Sequence, residues 1–214
     1  MNVIASVVGL LLGAALSLLS EPVSRHLLEK RGKEFKPQKV TRILQTVISS
    51  LLAGMIGWVA GFSLQSLFLL SLLYVGNIIS TTDIQYRLIP NDTVLLLLGT
   101  KLVFGILALL KVGGLPSWNP LLSLAGLAVL GVIFFLPGVL GGKVGMGDVK
   151  LAMAIGFCAE LMPALIAICL MGVLVLIYGF LQRSYSLMAF LKINFPMGPF
   201  LCAAQLLALL INLI

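Results

Sequence analysis

Charge is what this chain has least of. Only 10% of its 214 residues are charged, against 60% hydrophobic, and the mean hydropathy is +1.17. A soluble domain carries about a quarter charged residues. Too few polar side chains remain here to cover a water-soluble globule, so that class is excluded and the bilayer must be the solvent. Histidine is nearly absent: with His26 alone, neither a Ser-His triad nor a His-based metal site can be assembled. Cysteine is scarce too. Cys158, Cys169 and Cys202 lie within apolar runs and form no CxxC pair. They read as small packing residues, not as a disulfide framework or a zinc site, and no metal or other cofactor is expected. There is no HExxH, no phosphate-binding Gly-rich loop ending in Gly-Lys-Ser/Thr, no Gly/Ser linker and no clear internal repeat. One domain over residues 1–214 is enough.

What is present is a succession of apolar runs. A membrane span needs about 20 apolar residues, somewhat fewer when a helix is short or buried. Candidate spans are 2–19, 43–62, 64–81, 93–110, 121–140, 149–161, 163–181 and 197–213, separated by Gly- and Pro-rich breakers such as Gly113-Gly114-Leu115-Pro116, Gly141-Gly142 and Glu160-Leu161-Met162-Pro163. The expected fold class is therefore all-α, a polytopic transmembrane bundle of about eight spans. A count of seven, with one long kinked helix across residues 149–181, is the alternative.

The formal charge of +7 could point to nucleic acid or to anionic lipid, and its distribution decides. With the N-terminus outside and eight spans, the cytoplasmic connections carry Arg25, Lys30, Arg31, Lys33, Lys36, Lys39, Arg42, Arg87, Lys143, Lys150, Arg183 and Lys192. Only Lys101 and Lys111 are left over, in or at the outer end of the fourth span. This split obeys the positive-inside rule, and seven spans would move Arg183 and Lys192 to the wrong side. Membrane lipid, not nucleic acid, is the expected partner of the charge. The basic stretch 21–42 reads as a cytoplasmic connection resting on lipid headgroups, or as a surface for a substrate's soluble part. The first span lacks a charged n-region and its positive charge follows it, so it reads as a retained helix and not as a cleavable signal.

In such a chain the acids carry the information, and there are seven. Glu21, Glu29 and Glu34 balance the basic stretch, and Glu160 falls in an outer turn where a solvated carboxylate costs little. Asp92 follows Pro90-Asn91 and precedes an apolar run, as an N-cap does. Asp83 and Asp148 differ. Asp83 closes the third span, and Asp148 opens the sixth within Gly145-Met146-Gly147-Asp148-Val149-Lys150. An ionised Asp inside a span costs about 2.5–3.5 kcal/mol on insertion scales, so intramembrane acids line a polar cavity or do chemistry. The bland alternatives are an interfacial anchor for Asp83, and for Asp148 a second N-cap paired with Lys150. Gly145 and Gly147 favour chemistry: they offer close backbone approach or unusual φ beside an acid that must face an extended chain. Two aspartates on separate helices can share one proton and activate a water, as aspartic proteases do.

At these residues the chain resembles the type IV prepilin peptidase family of intramembrane aspartic proteases. The family's D-x-x-x-x-x-I-P context reads here as Asp83 through Ile89-Pro90, and its G-x-G-D-x-K as Gly145 through Lys150. Ala152-Met153-Ala154-Ile155-Gly156 resembles the family's small-residue run. Phe195-Pro196-Met197-Gly198-Pro199-Phe200 resembles its Phe-Gly-Pro-Phe segment, and Gly9-Leu10-Leu11-Leu12-Gly13 the start of bacterial members. The resemblance implies catalysis by Asp83 and Asp148, with support from Gly145, Gly147, Lys150 and Pro90 and from the segment of Pro196, Gly198 and Pro199. It implies a prepilin-like or pseudopilin-like membrane precursor as substrate, cut near the cytoplasmic face. It also implies the cytoplasmic membrane of a prokaryote as location, and is compatible with a homo-oligomer. Many bacterial members carry a cysteine-rich, zinc-bearing region between the first two spans. Residues 21–42 contain no cysteine, which implies peptidase activity without zinc or methyl transfer. Pro163-Ala164-Leu165 echoes the PAL signature of presenilin-type proteases, but directly after GxGD it reads as chance. A non-catalytic scaffold of a pilus or secretion assembly is the competing function. A transporter is disfavoured for want of repeat symmetry and midplane charges on broken helices.

Overall fold

In hydrocarbon an amide group finds no water, so an apolar run can satisfy its backbone only within itself, as a helix. A computed structural model describes residues 2–36, 38–140, 145–181 and 196–214. Among them are eight α-helices and no strand: α1 (Asn2–Glu29), α2 (Lys39–Ala60), α3 (Leu64–Tyr86), α4 (Asn91–Leu109), α5 (Pro120–Val139), α6 (Met146–Ala159), α7 (Leu161–Leu181) and α8 (Gly198–Ile211). A 3₁₀ turn, Val112–Gly114, follows α4. The chain forms a polytopic helical bundle. Six helices are long and apolar enough to cross a membrane; α6 and α8, at 14 residues each, are not. The breaker Gly141-Gly142 and the charges Lys143, Arg183 and Lys192 lie outside the described residues, as does Phe195.

Because lipid is as apolar as leucine, helices in a membrane associate through close packing and not through the hydrophobic effect. The α1–α2 pair does this with small residues. One stripe of α1 is buried, running Ala5, Gly9, Gly13, Ser17, Ser20, Ser24 and Leu28. A Cβ on Gly9 or Gly13 would strike the backbone of Ala53 or Ser49 on α2, and one on Gly57 the backbone of Ala5. The same stripe explains a departure from expectation. α1 does not stop near residue 19 but runs through Glu21 and Pro22 to Glu29, since the small buried face continues where the apolar run ends. At about 1.5 Å per residue, its 28 residues exceed the ~30 Å hydrocarbon core. The basic stretch is therefore mostly helical, and the true connection spans only residues 30–38. His26 sits in the last turn of α1.

α3 lies at the centre, packed on α1, α2, α4 and α8. Of its most apolar window 61% is buried, against 17% for α5 and α7, whose large apolar side chains face outward. A polar ladder joins α3 to the first pair: Asn77 Nδ2 donates to Ser49 Oγ (2.9 Å), Ser49 Oγ to the Gly13 carbonyl (2.9 Å), and Gln45 Nε2 to the Asn77 carbonyl (2.8 Å). α6 packs on α4, α5, α7 and α8. Gly126 of α5 and Gly156 of α6 meet so closely that a Cβ on either would enter the other's carbonyl. Only Glu160 separates α6 from α7, and its φ of 67° and ψ of 170° break the helix. The kinked single helix of the seven-span alternative is not what forms.

Candidate active site

Asp83 lies on the last turn of α3, buried at 3% exposure. The spacing to Pro90 has a local cause. One more residue turn takes α3 to Tyr86, and Arg87 then ends the helix in the left-handed region (φ 50°), its N–H on the Asp83 carbonyl at 2.7 Å. Leu88 and Ile89 lead out, and Pro90, with φ −65°, caps α4; its carbonyl accepts from Thr93 Oγ1 at 2.7 Å. Pro90 therefore holds the N-cap position expected of Asp92, without a side-chain capping hydrogen bond. The Asp92 carboxylate instead stands 3.7 Å from Lys30 Nζ in an exposed ion pair.

The start of α8 completes the surroundings of Asp83. Gly198 N donates to Asp83 Oδ2 at 2.8 Å. Pro199 in the first helical turn, where a missing N–H is harmless, leaves that amide as the donor aimed at the acid. A Cβ on Gly198 would stand 3.0 Å from the same oxygen and 3.1 Å from Ile79 Cγ2. Pro196 and Met197 lead into this turn, Met197 as N-cap. The carboxylate lies near the negative end of α3 but faces the positive end of α8, and the charge of Arg87 acts on it as well.

Asp148 occupies the third position of α6. Gly145, not Asp148, is the N-cap, and Asp148 N donates to the Gly145 carbonyl at 3.0 Å. Gly145 has an ordinary φ of −72°, so its value is space and not unusual backbone geometry. A Cβ there would lie 2.5 Å from Asp148 Oδ2. Gly147 is helical and faces Ile89, whose Cβ a Gly147 Cβ would approach to 3.4 Å. The two aspartate motifs thus touch through Gly147 and Ile89. Lys150 ties the same regions again: its Nζ donates to Asn91 Oδ1 at 3.3 Å, and no ion pair among the described residues joins it to Asp148.

Asp148 is half-buried, whereas Asp83 is almost fully covered, and the charge of Asp83 acts on Asp148. α3 and α6 share no packed interface of their own; α4 and α8 bridge them. The two carboxylates therefore stand on separate supports at one end of the bundle, close enough to feel each other. At that end also lie residues 30–36, where Lys36 N donates to Gln85 Oε1 (3.2 Å) and Tyr86 Oη donates to the Glu34 carbonyl.

Two functional-looking residues were not legible as such. Glu160, expected to be solvated, accepts from Lys101 Nζ at 3.1 Å, and Lys101 is only 9% exposed. The signal was available: a lone lysine inside an apolar span needs a partner. Pro163 lines a cavity beside that pair, at the end opposite the aspartates, so the PAL-like triplet is not placed to serve them.

Fold and site together define a multi-pass helical membrane protein with two carboxylates gathered at one end of its bundle. The type IV leader peptidase family matches the chain over residues 67–180, more than half its length. The chain belongs to that family, and at family level it is a protease of the leader-peptidase type. Its matched region holds both aspartate motifs, while α1, α2 and α8 lie outside it. No curated protein and no solved structure matches the chain.

Proposed function

We propose that the protein is an intramembrane aspartic endopeptidase that removes leader peptides from prepilin-like or pseudopilin-like precursors, with Asp83 and Asp148 as its catalytic pair. The observation that carries this reading is the meeting of both aspartate motifs and the Gly-Pro segment at one end of the bundle, through Gly147 against Ile89 and Gly198 N on Asp83. Neighbouring carboxylates cannot both ionise cheaply and share one proton. The ionised member takes a proton from a bound water, whose oxygen attacks the scissile carbonyl carbon. The protonated member hydrogen-bonds the developing oxyanion, then gives its proton to the leaving amine as the C–N bond breaks. Gly145 leaves space for the Asp148 carboxylate and Gly147 lets α6 sit against Ile89, while Lys150 and Pro90 brace the same region.

The Lys and Arg residues at the end that carries the aspartates support a cytoplasmic orientation for it, and the family membership supports the cytoplasmic membrane of a prokaryote as the location. The absence of cysteine from residues 21–42 supports peptidase activity without zinc or N-methyl transfer. Co-expression with a precursor bearing a short basic leader and a hydrophobic helix tests the reading. The mature product's new N-terminus should lie at the leader–helix junction. An uncut precursor, or a cut deep in the membrane or on the outer side, would count against it.

A further inference from the structure

The far end of α6 is built around the ion pair of Lys101 and Glu160. Lys101 lies midway along α4, buried, with its Nζ 3.1 Å from Glu160 Oε1 and about equally distant from the rings of Phe68 (5.8 Å) and Trp118 (5.9 Å). Trp118 is itself fixed: its Nε1 donates to the buried Ser123 Oγ at 2.8 Å, and its ring covers Gly105 of α4, where a Cβ would come within 2.5 Å. Glu160 has a backbone conformation (φ 67°, ψ 170°) that is essentially reserved for glycine. A side chain persists there only when its surroundings over-determine it. Three contacts do so: Glu160 N donates to the Gly156 carbonyl at 3.1 Å, Ala164 N donates to the Glu160 carbonyl at 3.0 Å, and the carboxylate is held by Lys101. Beside Glu160, the Gly126–Gly156 contact leaves α6 no slack against α5.

We propose that Lys101 and Glu160 are positioning residues, which fix the depth and rotation of α6 and so set where Asp148 stands relative to Asp83. The proposal rests on the catalytic reading of that pair. The twelve residues from Asp148 to Ala159 lie in one short helix, about 18 Å long at 1.5 Å per residue, which ends at Glu160 with no flexible element between the two ends. Rotation or translation at Glu160 is therefore delivered to Asp148. α7 begins at the very next residue, so the strained junction also keeps lipid-facing α7 from pulling α6 out of register.

The experiment uses the full chain with Lys101→Arg, Glu160→Gln and the double Lys101→Met/Glu160→Gln, which leaves no unpaired buried charge and so guards against simple unfolding. Two readouts are taken: kcat and KM on a prepilin-like substrate, and the distance between spin labels at Met146 and Lys30, in a background with Cys169 replaced by Ser. Lys101→Arg should keep activity and distance. Glu160→Gln and the double variant should shift or broaden the distance, and kcat should fall about a hundredfold with KM little changed, as a displacement on the order of 1 Å can do. An unchanged distance in the folded double variant overturns the proposal whatever the activity, and so does an unchanged kcat. If the distance moves but Asp83→Asn still cleaves, the catalytic reading has failed while the mechanical coupling stands.

Discussion

At one end of α6, Asp148 faces a second carboxylate; at the other, Glu160 faces an ammonium group. Both arrangements sit in a chain with only seven acids. The Lys101–Glu160 pair satisfies itself: its charges cancel, and aromatic rings close around the cation. The Asp83–Asp148 pair does not. One carboxylate has the backbone amide of Gly198 and the charge of Arg87 to favour it, the other no ion-pair partner among the described residues, and the two are like charges. Opposite charges in a membrane protein can be explained by architecture alone. Like charges brought together on separate helices are a standing cost, and sites that sustain such a cost are where chemistry is expected.

The contrast can be broken at several points. The largest effect belongs to the aspartates: on the proposed mechanism, Asp83→Asn or Asp148→Asn should each lower cleavage by about a thousandfold or more, since general acid–base groups contribute up to ~10⁴. Detergent-extracted stability should not fall, because each change relieves like-charge crowding. Next come the glycines that make room for the carboxylates. Gly145→Val and Gly198→Val should reduce kcat about a hundredfold by displacing an acid on the order of 1 Å, read from the same assay. Gly156→Val, at the other end, should act on the fold first: overpacking against Gly126 should destabilise by about 1–3 kcal/mol, measured by thermal unfolding in detergent. Lys150→Gln removes one exposed contact to Asn91 and should cost no more than about fivefold in rate. Asp92→Asn, which loses only an exposed pair with Lys30, should stay within about twofold of wild type.

Much of this was legible in the sequence because membrane helices obey few rules. Apolar runs and glycine breakers marked all eight helices, and the scarcity of acids drew attention to Asp83 and Asp148. What escaped depended on packing between distant segments. α1 continued past its apolar run because its buried stripe does, through Ser20, Ser24 and Leu28. Asp92 falls inside the first turn because Pro90, with its fixed φ, takes the N-cap position two residues earlier, without a side-chain capping bond. Glu160 read as solvated because nothing local announced Lys101, 59 residues away. Gly145 and Gly147 were marked for the right place, yet their φ values are ordinary; their role is to leave space for Asp148 and Ile89, which only the folded arrangement reveals.

The central claim is that Asp83 and Asp148 form one catalytic unit, and a double-mutant cycle tests it most directly. Cleavage of a prepilin-like substrate is measured for wild type, Asp83→Asn, Asp148→Asn and the double variant, at matched expression and extracted stability. Groups that share a proton and a water are strongly non-additive, so the double variant should be little slower than either single one. Losses that multiply, or near wild-type cleavage by either single variant, would contradict the account.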